Sequence, residues 1–232
     1  MDLIWEGFRD ALRLLATRDP ATLRIAALSL GISGIATALA ALLGVPLGVV
    51  LAVRRFRGRR AVTALVNTGM GLPPVVVGLG VSILLWRSGL FGALALLYTP
   101  AAMILAQLIV ALPLAAGLTR GAVSLLDSDL RGALRADGAT EWRVGWELLR
   151  AARAQVLVAV AAAFGRAISE VGASLMVGGN IIGQTRILTT AITLETGRGE
   201  FARAIALSLI LLALAFLVNA GLVRGGRAAA MQ

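Results

Sequence analysis

An apolar run from Leu23 to Val53 ends on Arg54, Arg55, Arg57, Arg59 and Arg60, and no other feature constrains the fold of this chain as tightly. A helix crossing about 30 Å of hydrocarbon at about 1.5 Å per residue needs roughly 20 mostly apolar residues, so this run can span a bilayer with tilt or project beyond it. Basic residues flanking a span are retained on the cytoplasmic side. The arginine cluster therefore places the end of the run in the cytoplasm and the N-terminus outside.

The remaining composition agrees with a bilayer as solvent. Of the 232 residues 59% are apolar, and the mean hydropathy is +0.89, too greasy for a water-exposed domain. The net charge of +10 comes entirely from arginines. They punctuate apolar spans and form no continuous stripe interleaved with aromatics, which argues against a nucleic-acid partner. The chain has no Cys and no His, so thiolate nucleophiles, imidazole bases and the usual zinc or haem sites are excluded.

Along the chain, Met1 to Thr17 puts Leu3, Ile4, Phe8, Leu12 and Leu15 near one helical face, with Asp2, Glu6, Arg9, Asp10 and Arg13 over much of the rest. This reads as an amphipathic helix at an interface, broken at Asp19-Pro20. Early acidic residues and the lack of a cleavage pattern set it apart from a signal peptide. A sixth, short span is the alternative, and it would reverse the N-terminus.

Further spans are expected at Ala61 to Trp86, interrupted by Gly71-Leu72-Pro73-Pro74, then at Pro100 to Leu118, Ala154 to Val177 and Ala202 to Val223. The polar stretch Thr119 to Arg153, which includes Asp127, falls in the cytoplasm. Gly178 to Phe201 falls outside, and Arg224 and Arg227 fall in the cytoplasm. The expected architecture is an all-α, multi-pass membrane protein of five transmembrane helices: a helix over 1–21, a membrane domain over 22–224 with its cytoplasmic loop at 119–153, and a tail at 225–232. Within the loop, Gly138 is a helix stop and Thr140 a helix cap. Trp142, Trp146 and Leu149 share one side of the helix that follows, and Arg143, Glu147 and Arg150 another.

Leu134-Arg135-Ala136-Asp137-Gly138-Ala139-Thr140-Glu141-Trp142-Arg143 resembles the cytoplasmic coupling loop of ABC importer permeases. That loop's pattern is Glu-Ala-Ala, three residues, Gly, nine residues, Ile-x-Leu-Pro. Gly138 matches the central glycine and Ala133 one alanine, while Gly132, Leu134 and Leu148 to Ala151 depart from it, the proline included. Gly165-Arg166-Ala167-Ile168-Ser169-Glu170-Val171-Gly172-Ala173 and Met176-Val177-Gly178-Gly179-Asn180-Ile181 resemble the fourth-span signature of molybdate and tungstate permeases. Thr185 to Ile192, Leu194 to Thr196 and Gly199 to Phe201 are closer to the tungstate branch, and Gly71 to Gly78 resembles the second-span segment.

The resemblance implies the type I ABC importer transmembrane fold. It also implies a coupling loop of Ala133, Asp137, Gly138, Ala139 and Trp142 facing ABC ATPase subunits, a second copy of the chain, and a periplasmic or lipid-anchored tungstate- or molybdate-binding protein above. Trp142 and Trp146 can equally be interfacial anchors among membrane lipids. Arg166 and Glu170 have i,i+4 spacing near the middle of a span, where charges face a partner or a watery cavity. They either lock helices together or support the anion's pathway, together with Gly172, Pro73 and Pro74. Gly165, Gly172, Gly178 and Gly179 read as close-packing or turn positions, and the two prolines as a structural break. Asn180, Thr185 and Arg186, with Gln184, Thr189 and Thr190, fall at the outer mouth, either as a solvated loop or as an anion-handling site.

Without Lys the chain has no Gly-x-x-x-x-Gly-Lys-[Ser/Thr] nucleotide loop. ATP and Mg are therefore expected on a partner ATPase, with no cofactor held by this chain and no enzymatic activity of its own. A secondary transporter driven by an ion gradient calls for several intramembrane carboxylates or an internal repeat, and only Glu170 falls inside an expected span. The location implied is the bacterial plasma membrane, with the C-terminus cytoplasmic. Permeation of another small oxyanion is the alternative function.

Overall fold

In the computed structural model, which describes residues 2–126 and 128–230, all regular structure among the described residues is helical. Asp127 and the last two residues of the tail lie outside the described residues. The chain runs through α1 (Asp2–Ala16), α2 (Pro20–Val53), α3 (Arg59–Met70), α4 (Pro74–Leu85), a 3-10 turn at Gly92–Leu94, α5 (Pro100–Ser124), α6 (Ser128–Ala136), α7 (Glu141–Ala151), α8 (Arg153–Ile168), α9 (Gly172–Gly178), α10 (Leu188–Gly197) and α11 (Phe201–Ala230).

Among the described residues, α2, α5 and Phe201–Leu222 of α11 are each long and apolar enough to cross a membrane. Counting the broken pairs α3 with α4 and α7 with α8 as one span each gives up to five. Two compact units divide the chain, one of residues 1–36, 73–107 and 167–218, the other of 37–72, 108–166 and 219–232.

In the first unit, Asp19 starts α2. The Thr22 hydroxyl and the Thr22 amide both donate to Asp19 Oδ2, at 2.6 and 2.8 Å, and these bonds hold the Asp19 carboxyl below its usual range. Helix α1 is amphipathic as expected, but its large apolar residues do not face the protein. Ile4, Phe8, Leu12 and Leu15 are exposed, whereas Ala11 is buried and Gly7 lies against Ile205 of α11 closely enough that any Cβ would overlap it. The small residues make the intramolecular contact, and the apolar face is left for the surroundings.

Helix α10 packs Leu188 and Ala191 on Leu207 and Ile210 of α11, with Ile25 and Ala26 of α2 alongside. Helices α4 and α9 approach so closely that a Cβ on Gly78 would lie 2.7 Å from the Ala173 Cα, and one on Gly172 would lie 2.9 Å from Val75 Cγ2.

Two stretches differ from the sequence expectation. The span expected over Ala154 to Val177 is not one helix: α8 stops at Ile168 and α9 begins at Gly172. The polar stretch Gly178 to Phe201, expected only as a segment outside the membrane, contains α10, whose Leu188, Thr189, Thr190, Ala191 and Glu195 are buried. Pro73 and Pro74 act as starters of α4, with Pro74 at the first helical position, where its missing N–H has no role to lose.

In the second unit, glycines again set the spacing. A Cβ on Gly44 would meet Ala115 Cβ at 2.9 Å, and one on Gly69 would meet Pro113 Cγ at 2.7 Å. These approaches bring α2 and α3 onto α5, with Leu51, Val66 and Ala116 buried together. Gly165, by contrast, has nothing within 4 Å of a Cβ. The expectation that it is a close-packing position is therefore not met within the chain.

Candidate functional site

The polar loop folds into α6, a tight turn and α7. Helix α6 ends because Gly138 adopts φ +78, a conformation that glycine reaches without the Cβ clash of other residues. The Gly138 amide donates to the Arg135 carbonyl and the Ala139 amide to the Leu134 carbonyl, both at 3.0 Å, which satisfies two carbonyls that the helix leaves open. Thr140 then caps α7, its hydroxyl accepting from the Arg143 amide at 3.4 Å. Both residues end and begin helices as their types predict.

Helix α7 is seated by Val144, Leu148 and Ala152, all fully buried, against Val49 and Ala52 of α2, Val123 of α5 and Val156 of α8. The face carrying Trp142 and Trp146 is a different one, and these rings are 75% and 53% exposed. Ala133, Asp137 and Gly138 are exposed as well. The loop thus presents an open surface above an apolar seat.

Two arginines tie it down. The Arg131 guanidinium donates to the Val123 carbonyl at 2.8 Å, and Arg135 makes a two-pronged bond to Glu141 at 2.9 and 3.3 Å. After α7 the chain bends by 77° into α8. It does so at Ala152 (φ −90, ψ 9), without the proline of the family pattern.

The second group of candidate residues surrounds α9. Glu170 is 1% exposed, and its Oε1 accepts from the Ala173 amide at 2.9 Å while its carbonyl accepts from the Thr189 hydroxyl at 2.9 Å. The carboxylate thereby starts α9, and the backbone carbonyl of the same residue holds α10. Arg166 lies in the last turn of α8. Because that helix stops at Ile168, the helical i,i+4 geometry expected of Arg166 and Glu170 is interrupted at Ser169.

Asn180, Thr185 and Arg186 are brought together in one turn. Arg186 donates to the Asn180 side chain and carbonyl at 3.2 and 3.4 Å. Thr185, fully buried, donates a short hydrogen bond to the Gly178 carbonyl and accepts from the Ile181 amide at 2.9 Å. This turn is internally bonded through Thr185 and Arg186, while its residues 181–184 are exposed. Beside it lies a cavity of about 370 Å³ bounded by Asn180, Thr190, Thr193 and Arg198.

Sequence reasoning missed four contributors. The Leu188 amide donates to the Ser29 hydroxyl at 2.8 Å. Gln107, fully buried, donates to Ser174 at 3.2 Å. Glu195, also buried, lies 3.9 Å from Arg198. Each of Ser29, Gln107 and Ser174 sits in a helix with no local sign of a partner 67 or 159 residues away.

Residues 44–224 match the family model of the binding-protein-dependent transport system inner membrane component. The chain is 41% identical, over 95% of its length and 96% of the relative's, to the tungstate uptake system permease protein TupB of Peptoclostridium acidaminophilum. It is 48% identical, over 84% of its length and 87% of the relative's, to a probable anion ABC transporter permease protein of Haloferax volcanii. Among solved structures, a chain of the inward-facing MetNI methionine ABC transporter superposes with a TM-score of 0.74 at 22% identity, covering 90% of this chain and 96% of that one.

Proposed function

This chain belongs to the binding-protein-dependent transport system inner membrane component family, and from that premise we propose that its cargo is tungstate or the similar oxyanion molybdate. The chain is the transmembrane permease subunit of an ABC importer, a multi-pass protein of the inner membrane with the type I importer fold. It is not an enzyme. A separate ATPase hydrolyses ATP, and a binding protein delivers the cargo. The similarity to a tungstate permease over 95% of the chain carries the choice of oxyanion, and discrimination between tungstate and molybdate is assigned to the binding protein.

The roles of individual residues follow from the two sites. Ala133, Asp137, Gly138, Ala139 and Trp142 form the surface that receives the ATPase, and ATP and Mg stay on that partner. Because α7 is seated on α2, α5 and α8 through close-packed apolar contacts, a displacement of the loop moves those helices with it, since packed interiors transmit strain. Glu170, Gly172, Pro73 and Pro74 support the pathway by fixing where α4 and α9 begin, and Arg166 belongs to the same pathway. Asn180, Thr185 and Arg186 shape the outer mouth. The permease works as a homodimer among membrane lipids, with the N-terminus outside and the C-terminus in the cytoplasm.

Reconstitution with the ATPase and the binding protein in liposomes tests the reading. ATP should drive uptake of tungstate or molybdate but not of sulfate. Uptake of neither oxyanion, or uptake abolished by an ionophore and indifferent to ATP, overturns it. The orientation has its own test: a cysteine at Gly58 should be shielded from impermeant reagents added to whole cells and one at Gly183 should react, and the reverse pattern overturns the topology.

A further inference from the structure

The end of α2 carries two adjoining cavities of opposite character. One, of about 120 Å³, is an apolar groove walled by Pro46, Val49 and Val50 on α2 and by Trp142, Trp146 and Leu149 on α7. The other, of about 890 Å³, is lined by Arg54, Arg55, Arg59, Arg131 and Arg135, with Glu141 as its one carboxylate. Val53, Arg54 and Glu141 line both.

Three of the arginines are held in place by the protein: Arg59 on the Leu51 carbonyl at 2.8 Å, Arg131 on the Val123 carbonyl, and Arg135 on Glu141. Bonds to neutral carbonyls hold Arg59 and Arg131 without themselves neutralising their charge. Arg54 and Arg55 are exposed beside them. A strongly positive pocket thus opens into an apolar groove with tryptophans on its rim, at the point where a membrane span ends.

We propose that this composite cavity binds one anionic phospholipid, its phosphate among the arginines and the start of an acyl chain in the groove under Trp142 and Trp146. The charge selects an anionic headgroup, as basic pockets at the end of spans do, and tryptophan is a residue type enriched at membrane interfaces. A soluble phosphate uses the arginines but not the groove. The inference rests on the reading above that this end of α2 lies on the cytoplasmic side of the membrane. It concerns neither cargo nor ATP, so its failure leaves the transport assay unmoved.

Native mass spectrometry of the delipidated permease, alone and with its ATPase, tests the proposal with phosphatidylglycerol and phosphatidylcholine of identical chains. Phosphatidylglycerol should be favoured about ten-fold, in keeping with two or more arginines near the headgroup, and the bound lipid should remain when the ATPase is present. Glycerol phosphate in excess should not displace it. The double change R54Q/R55Q should bring the preference toward one, while R54K/R55K retains it and shows that the fold is intact. Equal binding of the two lipids, an unchanged preference in R54Q/R55Q, displacement by glycerol phosphate, or expulsion of the lipid by the ATPase would each overturn it, the last by assigning the surface to protein docking.

Discussion

The α6–α7 element and the α9–α10 segment are both pairs of short helices joined by a turn with glycine at positive φ, Gly138 in one and Gly179 and Gly183 in the other, yet opposite forces hold them. The first is seated by an apolar stripe, Val144, Leu148 and Ala152, and its polar bonds are mainly at the surface. The second is fixed by buried bonds from side chains to backbone, through Glu170, Thr185, Thr189 and Ser29. The contrast follows from burial. A polar group at an exposed surface can be satisfied by water, whereas polar groups buried within the protein must be satisfied by the protein itself.

That comparison can be broken first at Leu148. Leu148→Ala deletes a fully buried side chain and should destabilise the second unit by about 2–5 kcal/mol, read as loss of thermal stability in detergent together with loss of transport. A change under about 0.5 kcal/mol, the scale of an unremarkable surface substitution, would deny the apolar seat its role.

Glu170 comes next. Glu170→Ala strands the buried Ala173 amide and should cost about 1–3 kcal/mol, whereas Glu170→Gln keeps an oxygen in place and should retain most of the stability. Equal losses in the two variants would show that the charge, not the cap, matters at this position.

Gly138 sharpens the other side of the contrast. Its Cβ position is open, with nothing within 4 Å, so Gly138→Val acts through its backbone and through docking, with a strain of about 1–2 kcal/mol. Hydrolysis by the ATPase should continue while uptake falls. Gly138→Asn, which tolerates positive φ, should recover much of the coupling. If the asparagine and valine variants are equally impaired, the left-handed turn is not the cause.

The smallest effect is expected at Arg135→Gln. It removes an ion pair whose side chains are 50% and 45% exposed, and such pairs are worth about 0–1 kcal/mol. Stability should barely move, and a loss as large as that at Leu148 would mean that α6 is held by charge after all.

Much of the α6–α7 element is legible in the chain because its signals are local. Gly138 ends one helix, Thr140 starts the next, and the arginines bond within the same stretch. What escapes is which face of α7 is buried: its apolar residues lie on two faces, and only the neighbouring helices select Val144 and Leu148 over Trp142 and Trp146. Around α9 the balance reverses. A largely apolar run reads as one span despite Arg166 and Glu170, and nothing near Ile168 announces that the helix stops there. The break becomes favourable because Glu170 caps α9 and Thr189 takes its carbonyl, an interaction 19 residues away.

By itself, the sequence determined that this chain lives in a membrane, which of its segments are apolar enough to cross, and where the polar loop turns. Hydropathy, charge and helix-end chemistry act over distances that a single stretch of chain contains. Only the tertiary structure decided that Gly178 to Phe201 is a packed helix and turn, that the expected Arg166 and Glu170 helix is interrupted, and that Ser29 and Gln107 belong to the buried polar network. Those outcomes depend on which distant group fills a hydrogen bond among buried residues, and periodicity along the chain carries no record of that partner.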